Sequence, residues 1–79
     1  MSIKLPDLDR RQTTAFLNTF TAKWDHRGGS SIVGVGRDGQ PFSFHSEHPL
    51  GIRRDFLGRI LRQLSVSRDD FDRWYIKNK

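Results

Sequence analysis

The feature that most constrains the fold is Asp38-Gly39, set between two alternating stretches, Ile32-Val33-Gly34-Val35-Gly36 and Pro41-Phe42-Ser43-Phe44-His45. Asp-Gly supplies the positive φ values of a two-residue type I′ turn, whose twist matches that of the strands it joins. With those two residues as the loop, Val35 opposes Phe42, Val33 opposes Phe44, Gly34 opposes Ser43 and Ile32 opposes His45. Side chains alternate along a strand, so one face then carries Val33, Val35, Phe42 and Phe44 and is expected to face the core. The other face carries Gly34, Gly36, Pro41 and Ser43. Upstream, Ala22, Trp24 and His26 alternate with charged residues, the pattern of a further short strand. A two-residue turn at Gly28-Gly29 would set Trp24 against Val33 and His26 against Ser31, completing a three-stranded antiparallel meander.

Helical spacing flanks this sheet. Leu8, Phe16, Leu17, Phe20 and Trp24 recur at steps that suit one helix face, with Asp7 or Asp9 as N-cap and an end near Phe20 or Thr21. After Pro49-Leu50-Gly51, apolar residues at Ile52, Phe56, Leu57, Ile60, Leu61 and Leu64 form the clearest amphipathic pattern, with Asp55, Arg59 and Arg62 opposite them. Arg53 and Arg54 fall in its first turn, where the helix dipole disfavours cations. Ser67-Arg68-Asp69-Asp70 reads as an N-cap with acids in the first turn, Asp70 standing in for the usual capping-box Glu, and Phe71, Trp74 and Tyr75 dock the helix that follows. The expected fold is a single α+β domain over 1–79, in the order α-β-β-β-α-α. Its first helix spans about 8–21, the sheet about 22–46, and the last helices about 52–65 and 68–77.

Seventy-nine residues suit one domain, and six Phe with two Trp can fill a small core. Without cysteine there is no disulfide and no thiolate zinc site. No apolar run reaches the ~20 residues of a membrane span, and the first residues lack a signal peptide's pattern, so a cytoplasmic location with no membrane partner is expected. The net charge of +5 points to a polyanionic partner. It is uneven, +1 over residues 1–26 and +4 over 27–79, and ten of the fourteen bases are arginine. The planar guanidinium fork binds phosphate bidentately, where lysine acts as a point charge.

Gly34-Val35-Gly36-Arg37-Asp38-Gly39 matches G-x-G-x-x-G. A dinucleotide loop, however, needs a strand before it and a helix after it, and here a second strand follows. His45 and His48 lie three apart with only Glu47 nearby, which is too few ligands for a metal, so neither metal nor cofactor is expected. His26 and His45 are the candidate proton-transfer groups, histidine being the usual general acid–base.

Three elements resemble the HicA (YcfA-like) family, the toxins of HicA–HicB toxin–antitoxin pairs. Gly29-Ser30 before Ile32-Val33 is similar to the family's Gly-Ser-His element. An Asp-Gly hairpin leads to Phe44-His45-Ser46, like the family's strand ending in a Pro-x-His-type element. Arg59-Ile60-Leu61-Arg62-Gln63-Leu64-Ser65-Val66-Ser67-Arg68-Asp69-Asp70-Phe71 resembles the family's L-R-x-I-L-R-Q-x-G-L-S-x-E-E-F end. The resemblance implies a double-stranded-RNA-binding-domain-like fold and a small, basic, metal-independent mRNA interferase neutralised by a HicB-like antitoxin. Its catalytic His would fall at Ser31, so the resemblance implies RNA binding with lost or altered cleavage. Arg27, Arg37, Arg53, Arg54, Arg59 and Arg62 are the expected phosphate contacts, and duplex or structured RNA would be read by shape, 2′-hydroxyl and phosphate. Three alternatives stand beside this reading. His26, opposite Ser31, or His45, across Ile32, restores cleavage. Alternatively, the hairpin and the Trp74/Tyr75 tail form a protein-interaction module. Lastly, Arg59 and Arg62 enter a DNA groove, although no helix-turn-helix pairing accompanies them.

Overall fold

Residues 5–27, 31–45 and 51–79 are described by the computed structural model. They form α1 (Arg10–Phe20), β1 (Thr21–Arg27), β2 (Ser31–Gly36), β3 (Pro41–His45), α2 (Arg54–Gln63) and α3 (Arg68–Asn78). The strands make one open antiparallel sheet in the order β1-β2-β3, an α+β fold in the order read from the sequence. No described helix is long and apolar enough to cross a membrane. The Gly28-Gly29 turn, the Gly29-Ser30 element, Ser46, Glu47, His48 and Pro49-Leu50 lie outside the described residues.

Local chemistry sets the helix boundaries. Asp9 and Gln12 form a reciprocal capping box at the start of α1: the Asp9 carboxylate accepts from the Gln12 amide at 2.8 Å, and the Gln12 side-chain oxygen accepts from the Asp9 amide at 3.1 Å. Asp7 is thereby free to act elsewhere. Its carboxylate accepts from the Arg54 amide at 2.7 Å and caps α2, whose N-cap residue Arg53 supplies no side-chain bond. Paired backbone bonds between Leu8 and Ile52, 2.8 and 3.0 Å, hold the two segments together. The helix α2 ends in a Schellman turn: Val66 donates to the Leu61 carbonyl and Ser65 to that of Arg62, with Ser65 at φ 57°. Ser67 caps α3 through the Asp70 amide. Asp70 does not close the box from its side; its carboxylate lies 4.0 Å from Arg73.

The hairpin register differs by one residue from the expectation. Its loop has three residues, Arg37-Asp38-Gly39, and only Gly39 has positive φ (85°). Gly39 donates to the Gly36 carbonyl and Gly36 to that of Gln40, which is a type I turn closed by a G1 bulge. The extra residue moves every partner: Ile32 pairs with Phe44, Val33 with Ser43, Gly34 with Phe42 and Ser31 with His45. Ile32, Phe42 and Phe44 therefore face the core, while Val33 and Val35 turn to the open face. On the β1 side residues 23–27 show a one-residue displacement too, Trp24 pairing with Gly34, His26 with Ile32 and Arg27 with Ser31, and a bulge at Ala22 sets Thr21 against Gly36.

All three helices cover one sheet face. The core joins Phe16, Leu17 and Phe20 of α1, Leu57, Ile60 and Leu61 of α2, and Phe71 and Trp74 of α3 to the strand residues. Phe16 binds α1 to α3, with ring centroids 6.0 Å from Phe71 and 5.5 Å from Trp74. Trp74 is thus core, and Tyr75 packs against it, so the C-terminal aromatics are not an exposed tail.

Candidate functional site

Directly opposed residues on neighbouring strands share a face and bring their Cβ atoms to about 5 Å. The register therefore builds one polar row on the open face, Arg27 of β1, Ser31 of β2 and His45 of β3. The Gly36 amide points at β3, so by alternation those of Gly34 and Ile32 do too. Ser31–His45 is then a pair without ladder bonds of its own, the closer-spaced kind. An open depression of about 430 Å³ takes in Ser31, Val33, Ser43, His45, Phe44 and Phe56. His45 thus stands directly beside the position where the resemblance expects an acid–base group, rather than across Ile32. His26, paired with Ile32, belongs to the helix-facing side of β1 and not to this row.

The arginines divide by pairing. Arg27 lies 3.4 Å from Asp25, Arg53 3.9 Å from Asp55 and Arg54 3.8 Å from Asp7, all with exposed partners. Arg68 and Arg73 pair with Asp72 and Asp70 within α3. Arg10, Arg11, Arg37, Arg59 and Arg62 make no ion pair with any described residue. The cations at the start of α2, unfavourable for the helix dipole, are thus offset by Asp7 and Asp55.

The strand and helix directions separate two basic zones. The Phe44 ring meets Phe56 at 6.4 Å, so α2 begins at the His45 end of β3. At the other end, Asp38 of the hairpin accepts from the Ser65 hydroxyl at 3.4 Å, and Arg37 lines a depression with Leu64, Ser65 and Val66. Arg37 therefore stands by the last turn of α2, which carries Arg62, with Arg59 one turn earlier. Arg27, Arg53 and Arg54 stand at the opposite end. The six predicted arginines are not one cluster.

Arg10 and Arg11 were not among the expected contacts. The sequence does hold the signal: neither has an acid three or four residues further along α1, unlike Arg68. They line an open depression with Thr14, Ala15 and Asn18 on the outer side of α1. Among the described residues, no group of three His, Cys, Asp or Glu is placed to hold a metal ion. Comparison of the chain with protein-family models, with curated proteins and with solved structures finds no match.

Proposed function

We propose that this domain binds structured RNA through its sugar–phosphate backbone, as its resemblance to the HicA family implies. The observation that carries the reading is the set of arginines with no carboxylate partner among the described residues, Arg37, Arg59 and Arg62 at one end of α2 and Arg10 and Arg11 on α1. An unpaired guanidinium meets a phosphate without first giving up an internal partner. The open sheet face supports backbone rather than base recognition. It carries Lys23, Asp25, Arg27, Ser31, Val33, Val35, Pro41, Ser43 and His45, and so no Phe, Trp or Tyr on which a base could stack.

A second reading, metal-independent cleavage, is favoured by the Arg27–Ser31–His45 row. There the imidazole of His45 would take the proton of the 2′-hydroxyl as its oxygen bonds to phosphorus, with Arg27 beside the phosphate once released from Asp25; the P–O5′ bond breaks, the 5′-oxygen leaves with a proton from water, and a 2′,3′-cyclic phosphate remains. A HicB-like antitoxin as partner belongs to the same family-based proposal.

Titrating labelled duplex and hairpin RNA with the protein at several salt concentrations tests the binding reading. Affinity should fall steeply with salt; a tight, salt-insensitive retention of duplex DNA in preference to RNA refutes it. The cleavage reading is tested by incubating the same RNA in EDTA with wild type, His45→Ala and His26→Ala. Loss of cutting in His45→Ala alone supports the row; no cutting by wild type removes the reading.

A further inference from the structure

We propose that β3 is a pairing edge for a second copy of this chain, joining two three-stranded sheets into one six-stranded sheet about a two-fold axis at Ser43. Both outer strands of an open sheet present unpaired backbone groups, and folded proteins blunt such edges with charge, bulges or covering elements. The β1 edge is blunted in these ways: it carries Lys23, Asp25 and Arg27, has a bulge at Ala22, and is tied to α1 by the bond from Trp24 Nε1 to Asn18 at 2.9 Å. The β3 strand, Pro-Phe-Ser-Phe-His, carries no Lys, Arg, Asp or Glu.

Its backbone geometry suits self-pairing. Since Gln40, Phe42 and Phe44 face β2, the amide and carbonyl groups of Ser43 and His45 and the carbonyl of Pro41 point away from the sheet. None of these makes a backbone hydrogen bond to a described residue outside the sheet. Pro41, lacking an N–H, costs no bond to β2, and across the outer edge it withholds one of the two bonds that its pair with His45 could make. An antiparallel two-fold at Ser43 sets Ser43 against Ser43, with two mutual N–H···O bonds. It sets each His45 against the second copy's Pro41, with one bond from each His45 amide. Phe42 then falls beside the second copy's Phe44 on the core side, extending the stacked Phe42–Phe44 pair whose centroids lie 6.0 Å apart. The pairing is self-complementary and closes at two copies, and no like charges meet across it.

The strand is five residues long, about 16 Å. The interface therefore belongs to the small, weak class, below about 1,200 Å², and self-association emerges at high concentration. The +5 charge of each chain opposes it, so added salt should strengthen it, the reverse of its effect on RNA binding.

Sedimentation equilibrium of nucleic-acid-free protein from ~10 µM to ~1 mM tests the proposal, and its result is independent of whether RNA is bound. The mass should rise from 9.2 kDa toward twice that value. Ser43 is exposed on the open face, so Ser43→Lys and Ser43→Asp should keep the wild-type circular dichroism and melting temperature. Each alone should stay monomeric because like charges meet at the axis, and an equimolar mixture should regain the dimer. A wild type that remains at 9.2 kDa at the highest concentration overturns the proposal. So does a Ser43→Lys protein that associates like wild type, or a mixture that associates no better than either variant.

Discussion

At Gly34 the backbone of β1 and the Phe42 ring of β3 close on the central strand. Gly34 pairs with Trp24 on one side and Phe42 on the other. A Cβ there would run into the Lys23 carbonyl, lie 2.7 Å from the Trp24 Cα and 2.9 Å from the Phe42 ring. Two of those neighbours are backbone, which cannot move aside as a flexible side chain can. Gly34→Ala should therefore cost about 1–3 kcal/mol, read as a lower urea midpoint, and should displace β1 from β2. Ser65 presents the opposite case. It holds φ 57° as the residue after the α2 C-cap, a conformation that costs a side-chain-bearing residue about 1 kcal/mol and glycine almost nothing. Its only compensation in the described structure is a 3.4 Å exposed bond to Asp38. Ser65→Gly should raise stability by about 1 kcal/mol in the same unfolding measurement.

At the scale of elements, α2 depends on a residue 47 positions away. Asp7 supplies the cap that Arg53 does not, accepting from the Arg54 amide at 2.7 Å and standing 3.8 Å from the Arg54 guanidinium. The ion pair is solvent-exposed and adds little; the cap bond is the larger part, about 1 kcal/mol. Asp7→Ala should lower stability by roughly that amount, and Asp7→Asn, which keeps an acceptor but not the charge, should recover most of it in thermal unfolding. This long-range cap explains where sequence reading stopped. Helix stripes, the Ser67 cap and the order of elements rest on local periodicity and were legible. The role of Asp7 was not, because nothing near it in sequence marks Arg54 as its partner. The register failed for a related reason. Asp38-Gly39 serves a two-residue and a three-residue loop equally well, since both need positive φ at Gly39. Ile32 against Val33 as the core residue is decided only by the bulge. That slip left His45 across Ile32 when it is the direct neighbour of Ser31, and the separate expectation of a two-residue turn at Gly28-Gly29 set His26 opposite Ser31 where Arg27 stands.

For the whole molecule, the net charge of +5 says less than its division. Described arginines with a carboxylate within 4.0 Å, Arg27, Arg53, Arg54, Arg68 and Arg73, already face a protein carboxylate. Those with none among the described residues give up no internal pair on meeting a phosphate. The two groups should separate in one experiment. Replacing Arg59 and Arg62 together by Gln removes two unpaired cations from the exposed side of α2. It should leave the melting temperature within a few degrees and reduce the slope of log affinity for duplex RNA against log salt by about two. Replacing Arg53 and Arg54 by Gln breaks two ion pairs and frees Asp55 and Asp7. Its effect on the salt slope should be smaller, because those cations already neutralise protein carboxylates and release fewer counterions on contact with phosphate. Equal slopes for the two variants would show that internal pairing does not decide which arginines meet RNA, and the division drawn from the ion pairs would then have no functional weight.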